Sequence, residues 1–254
     1  MMIEAPQDDP QTILRQGAAA LGVPLDPLLE NQLLDLAERL LLRNQSLNLT
    51  AARDLTTLIA DHLLDSLALV PFLRERATTA ANARPRLVDI GTGGGFPALP
   101  IAIVGQAFEV IAIESVAKKA RAIADVARAL GLERFRMLNE RAETVGQDPE
   151  WRESADFATA RGVGQLAAAA ELALPLLRLG GVFLAQKGPD PQAEIDEAAY
   201  AIDLLGGCVA GMAPAGLERP TGRRTVVRIE KIRRTPNRFP RKPGTPAKQP
   251  LREP

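Results

Sequence analysis

Between Leu87 and Pro97 the chain reads Leu-Val-Asp-Ile-Gly-Thr-Gly-Gly-Gly-Phe-Pro, a short apolar run that breaks into glycines and then a proline. Glycine lacks the Cβ that would hold a ligand away from the backbone, and proline is favoured in the first turn of a helix. The segment therefore reads as a strand-to-helix turn built for close approach of a ligand. Glu114 stands 19 residues past Gly95, at the end of the next apolar run, where a carboxylate can accept from both hydroxyls of a ribose. Together these residues imply an adenosine-bearing ligand. Two classes compete. Gly93 to Ala98 fits the G-x-G-x-x-A form of a dinucleotide fingerprint, a weak match by itself. Asp89, two residues before Gly91, places an acid where a dinucleotide strand is usually apolar, and an acid there can hold an amino group, such as the one S-adenosylmethionine carries. The only tyrosine, Tyr200, falls in a late helix, so hydride transfer lacks an evident acid–base partner. The residues favour the methyl donor.

The elements that must position this loop follow from periodicity. Short apolar runs at Leu87–Ile90, Val110–Ile113, Phe135–Leu138, Phe157–Thr159 and Val182–Ala185 predict strands, and 97–104, 117–130, 165–178 and 192–205 predict the helices between them. Such alternation implies a parallel, doubly wound α/β sheet. Val209–Met212 and Thr225–Ile232 predict two further strands, the last antiparallel. Ahead of the sheet, 26–43 predicts an amphipathic helix capped by Asp26 with Pro27 in its first turn, and 55–73 a second. The expected organisation is an N-terminal helical lobe over 1–76, an α/β domain over 77–232 and a basic, proline-rich tail over 233–254.

Composition excludes several classes. With 254 residues, 46% hydrophobic and 24% charged, the chain is neither collagen-like nor a coiled coil nor wholly disordered. A single cysteine, Cys208, and a single histidine, His62, argue against an internal disulfide and against a zinc site. The first ten residues lack the features of a secretion signal, and no uninterrupted apolar stretch of about 20 residues predicts a membrane span. The expectation is a cytoplasmic protein without metal. Charge is balanced at 31 basic and 31 acidic residues but unevenly placed: twelve basic residues and two acidic ones lie between Arg219 and Pro254. A basic segment of that density predicts phosphate binding, and its prolines predict an extended tail that resists folding and is separable from donor binding.

Six segments then carry a resemblance: Asn48-Leu-Thr-Ala-Ala-Arg-Asp54, His62-Leu-Leu-Asp65-Ser66-Leu, the loop from Asp89 to Pro97, Ala160-Arg161, Lys187-Gly188, and Phe239-Pro-Arg-Lys-Pro-Gly-Thr-Pro246. In this order they resemble the bacterial small-subunit (16S) ribosomal RNA guanine-N7 methyltransferases, also called glucose-inhibited division protein B. The resemblance spans about 44–251 and implies a class I S-adenosylmethionine-dependent methyltransferase fold, a Rossmann-like sheet of seven strands. It also implies a substrate, one guanine in the decoding-region loop of 16S rRNA, presented as RNA or as a small-subunit particle, and the chain is expected to act as a monomer. Carried over by position, the donor site would comprise Gly91 and Phe96 in the loop, Glu114, Ser115 and Val116 after the second strand, Ala142 and Glu143 after the third, and Arg161 after the fourth. Glu114 would hold the ribose, Ala142 and Glu143 would face the adenine edge, and Arg161 would pair with the donor's carboxylate or a phosphate. Lys187, Arg241 and Lys242 are the RNA-binding candidates. The chain departs from the usual pattern at Gly94, Ala98 and Glu114, where alanine, glycine and aspartate are usual. No general base is expected, because guanine N7 attacks without losing a proton. His62, alone on an apolar helix, reads as structural. A non-catalytic rRNA-binding or assembly factor is the alternative.

Overall fold

The structure is a computed structural model that describes residues 9–77, 84–218 and 223–253. Its strands are β1 (Arg86–Ile90), β2 (Glu109–Ile113), β3 (Phe135–Leu138), β4 (Ala155–Arg161), β5 (Leu177–Lys187), β6 (Gly207–Ala215) and β7 (Arg224–Lys231). They form one sheet in the order β3-β2-β1-β4-β5-β7-β6. Only β7 runs against its neighbours, pairing antiparallel with both β5 and β6. The strand order reverses between β1 and β4, so the crevice beyond their carboxyl ends is where this architecture takes ligands. The seven predicted strands and the antiparallel sense of the last one match the sequence reading.

The helices are α1 (Pro10–Ala20), α2 (Pro27–Leu47), α3 (Leu55–Leu58), α4 (Leu64–Leu67), α5 (Val70–Ala77), α6 (Ala98–Val104), α7 (Ala117–Ala129), α8 (Ala142–Val145), α9 (Leu166–Ala173), α10 (Gln192–Leu204) and α11 (Thr245–Lys248). Asp26 caps α2 by accepting from Leu29 N at 2.8 Å, with Pro27 in the first turn. The helix predicted over 55–73 is broken by a π-turn at Ile59–Leu63, between α3 and α4. Helix α1, capped by Asp9, has no counterpart in the sequence reading.

Side chains alternate across the sheet. Leu87, Val110, Phe157 and Leu184 point to one face, where they share a core with Leu33, Leu36, Leu58, Leu63 and Leu67 of the N-terminal helices. Val88, Ile111, Ala158 and Phe183 point to the other face, beneath α9 and α10. The run Leu55–Glu75 has the length and apolarity to cross a membrane, although none was expected, and about half of it (56%) is buried inside the protein. Its apolar side chains form the lobe's share of the first core.

The tail differs most from expectation. Instead of standing free, it lies on the second face, with Phe239 buried in that core and Leu251 packed against it. Arg152 donates to the carbonyls of Thr235 and Phe239, both at 2.8 Å, and Gln147 donates to Pro240 O at 2.8 Å. The physical reason is charge. The acidic body attracts the basic segment, and Arg224–Asp65, Arg228–Glu75, Arg233–Asp203, Arg234–Glu153 and Arg241–Glu171 pair across it. The imbalance along the sequence is thus partly cancelled in space.

Candidate active site

The glycine loop leaves β1 beside that crevice. Gly91, Gly93 and Gly95 adopt φ of +66°, +57° and +89°, a region that side chains with a Cβ rarely enter. A Cβ on Gly93 would meet nothing closer than 3.8 Å, whereas one on Gly95 would sit 2.6 Å from Leu99 Cδ1. The loop is therefore open on the ligand side at Gly93 and closed against helix α6 at Gly95. Gly94 is packed from the lobe: its Cβ would lie 2.9 Å from Leu49 O. Asn44 holds that lobe loop by donating to Thr50 O and Ala52 O and accepting from Thr50 N. Glu114 crosses to the glycine loop. Its carboxylate accepts from Gly93 N at 3.1 Å and Val116 N at 2.7 Å, one bond per oxygen. A carboxylate has about four lone-pair sites, so these bonds orient Glu114 and leave capacity for two hydroxyls.

Asp89 is fully buried at the foot of the loop. One oxygen accepts from Thr159 Oγ1 at 2.9 Å, while Oδ2, beside the Thr92 hydroxyl and the Ala98 backbone, makes no hydrogen bond of good geometry. Burial pushes the Asp89 carboxyl up to about 7, against the opposing pull of its hydrogen bonds and of Arg161. A buried orphan acceptor at a ligand loop is the kind of vacancy an incoming donor group fills.

A second group of residues forms the wall beside the loop. His62, on the π-turn, stacks on Phe96 with ring centroids 4.9 Å apart, and the Arg161 guanidinium lies 5.4 Å from the same ring. Arg161 donates to Asp65 Oδ2 at 3.1 Å and to His62 Nδ1 at 3.0 Å. Because arginine can only donate, His62 Nδ1 accepts and Nε2 carries the proton that reaches Thr50 Oγ1. π-Turns gather at functional positions, and this one turns the lone histidine toward the sheet. Arg161 was expected to meet a ligand's charge; in the structure its amino groups hold Asp65 and His62, because Asp65 is buried directly opposite. Behind this wall lies a cavity of about 660 Å³ at the ends of β4 and β5, whose lining includes His62, Arg161, Gln186, Lys187 and Arg224.

The other predicted residues are placed as follows. Ser115 and Val116 are exposed beside Glu114. Ala142 and Glu143 start α8 and are both buried. Glu143 does not present a free carboxylate, since Oε1 accepts from Gly244 N of the tail at 2.7 Å. Lys187 is at the cavity edge but donates to Glu194 at 2.7 Å and Gly164 O at 3.0 Å. Arg241 is directed inward, holding the buried Glu171 through Nε and Nη2. Lys242 is exposed. Asp65 and Thr50 fell within the segments that carry the resemblance but were given no role; Gln186 and Glu171 were not anticipated. Asp65 carried a signal, a carboxylate three residues after His62 and buried in the helical run; Gln186 carried only its place at the polar end of an apolar strand.

A family model described as rRNA small subunit methyltransferase G matches residues 29–218. The chain belongs to that family. It is 42% identical to the ribosomal RNA small subunit methyltransferase G of Chloroflexus aggregans, over 95% of this chain and 98% of that one. It is 39% identical to the protein of the same name from Deinococcus radiodurans, over 94% and 92%. Among solved structures, the branched-chain polyamine synthase of Thermus thermophilus superposes with a TM-score of 0.52 at 13% identity, covering 68% of this chain and 57% of that one, which supports the fold alone. Packing leaves two features of the loop unexplained: an open glycine cradle and a buried acid beneath it. Among the described residues no group of three or more His, Cys, Asp or Glu side chains could hold a metal ion.

Proposed function

We propose that the protein transfers a methyl group from S-adenosylmethionine to N7 of a guanine in the decoding-region loop of small-subunit rRNA. The observation that carries the donor assignment is Asp89 Oδ2, a buried carboxylate oxygen without a partner under a loop that is open at Gly93. A sulfonium amino-acid nucleoside has both of the groups this site calls for, an ammonium for Asp89 and a ribose for Glu114. Gly91 and Phe96 form the loop side of the pocket, Val116 offers a face to the adenine, and Ala142 with the backbone at Glu143 borders its edge.

The methyl donor, when bound, supplies an electrophilic carbon on a positively charged sulfur. Everything else is alignment. Guanine N7 has an exposed lone pair, so no residue need remove a proton before attack. Holding N7, carbon and sulfur in line is a proximity effect that lowers such barriers by roughly 7–11 kcal/mol. The stacked His62, Phe96 and Arg161 connect the loop to the cavity edge and are held in place by Asp65 and Thr50. Positive charge passes from sulfur to the base during transfer, so carbonyl or carboxylate dipoles beside the base favour that movement. The exposed cations Arg238, Lys242, Lys248 and Arg252 remain available for RNA phosphates.

The test is transfer of labelled methyl from S-adenosylmethionine to small-subunit particles, followed by mass mapping of methylated guanines. Glu114→Ala should abolish donor binding and transfer while leaving RNA binding in place. A wild-type chain that binds RNA but neither binds the donor nor transfers a methyl would favour the assembly-factor reading.

A further inference from the structure

The described residues include four buried side-chain oxygens without a hydrogen-bond partner: Asp89 Oδ2, Thr92 Oγ1, Glu153 Oε1 and Gln186 Oε1. The first two belong to the donor loop. Gln186 does not. It is at the end of β5, in register with Arg161 of β4, and only 5% exposed. Alternation places Gln186 and Arg161 on the lobe face with Leu184 and Phe157. Gln186 also lines the 660 Å³ cavity, which falls within the usual range for small-molecule and nucleotide sites.

The amide's orientation is fixed by chemistry. Its Nε2 donates to Asp65 O at 2.9 Å, and a carbonyl can pair only with the amino end, so Oε1 is the end left over. The cations lining the cavity are each paired, Arg161 and Arg224 with Asp65 and Lys187 with Glu194, and Asp61 is the remaining charged residue of the lining. Gln186 lines the cavity, and its Oε1 is a buried acceptor without a donor there.

We infer that this cavity receives the target guanine and that Gln186 Oε1 accepts a hydrogen bond from its 2-amino group, making Gln186 a specificity-determining residue. The inference rests on the proposed reaction and adds to it the way the base is chosen. The 2-amino group is a donor that only guanine presents at that position, and it lies on the opposite side of the purine from N7. A base held by its 2-amino edge at Gln186 presents N7 on its far edge, and His62 and Arg161, which line the cavity, lead from there to Phe96 of the donor loop. Adenine would leave the buried oxygen unpaired, and a site built around a polar partner rejects the analogue that lacks it.

The experiment uses the full chain, S-adenosylmethionine, and small-subunit particles reconstituted from RNA carrying either guanosine or inosine at the methylated position. Inosine keeps N7, O6 and N1–H and lacks only the 2-amino group. For the wild type, kcat/KM should fall by roughly tenfold or more on inosine, the usual consequence of leaving one buried acceptor unmatched. For Gln186→Leu the guanosine and inosine rates should converge, with donor affinity unchanged. Equal wild-type rates on the two RNAs overturn the inference whatever the variant does, and so does a variant that folds, binds donor and still prefers guanosine. Failure of the wild type to bind donor or methylate either RNA would instead refute the proposed reaction, so the two failures are distinguishable.

Discussion

Replacing Arg241 by alanine should destabilise the protein far more than a surface arginine warrants. Arg241 donates through Nε to both oxygens of Glu171 at 2.9 and 3.1 Å, and through Nη2 to Oε2 at 2.6 Å and to Gln249 O at 2.7 Å. Glu171 is fully buried, whereas the Arg241 side chain is 26% exposed. The asymmetry decides the outcome. Losing the Arg241 side chain leaves the buried Glu171 of α9 without its counter-charge and with only the backbone N–H of residue 241 as donor, a loss of roughly 3–5 kcal/mol for a broken buried pair. At about 2–4 °C per kcal/mol for a chain of this size, the melting temperature should drop by about 10 °C. Removing both charges at once, as in Glu171→Leu with Arg241→Leu, leaves no stranded charge and should cost much less. Calorimetry or urea unfolding of the wild type, Arg241→Ala and the double variant measures all three. If Arg241→Ala lost under 1 kcal/mol, or no more than the double variant, the account of the tail as a folded element anchored by this pair would be wrong.

Four further outcomes follow from the geometry. Truncation after Ile232 should weaken donor binding as well as stability, because it removes Gly244 N–H from Glu143, which the proposed site puts at the adenine edge; a folded truncated chain with unchanged donor affinity would refute this. Asp89 holds a proton in the folded state up to about pH 7, whereas unfolded it ionises near 3.8, so its contribution to stability is full below 3.8 and is lost as pH rises through 7. If its carboxylate meets the donor's ammonium, donor affinity should rise roughly tenfold between about pH 6 and 8, and Asp89→Asn should abolish that rise, as titration calorimetry can measure. Lys231 is fully buried against Leu174 O and Thr235 Oγ1, and burial lowers its pKa from 10.5 to about 8. Between those values the unfolded state keeps a proton the folded state has released, so stability should rise with pH from 8 toward 10; a urea midpoint that is flat over this range, or a rise that persists in Lys231→Met, would contradict it. Gly95→Ala combines an unfavourable φ with a 2.6 Å approach to Leu99 and should cost about 1–2 kcal/mol from the backbone alone, with weakened donor binding; a variant with wild-type stability and affinity would show that the loop tolerates both.

Much of this protein was legible in its residues because the relevant forces are local. The apolar period of two, the Asp26 cap with Pro27 and the glycines before Pro97 each act within a few residues, so they fixed the strands, α2 and the donor loop without reference to the rest of the chain. Glu114 belongs to the same class, since one strand and one turn carry it back to Gly93. Tertiary structure alone decided the partners of the charged groups. Arg161 meets Asp65 across 96 residues, Arg241 meets Glu171 across 70 and Gln186 meets Asp65 across 121. Those meetings depend on strand order and on which face of the sheet the lobe covers. No local pattern encodes them, because an ion pair depends on distance in space, and a buried charge takes whichever partner the packed core leaves within reach.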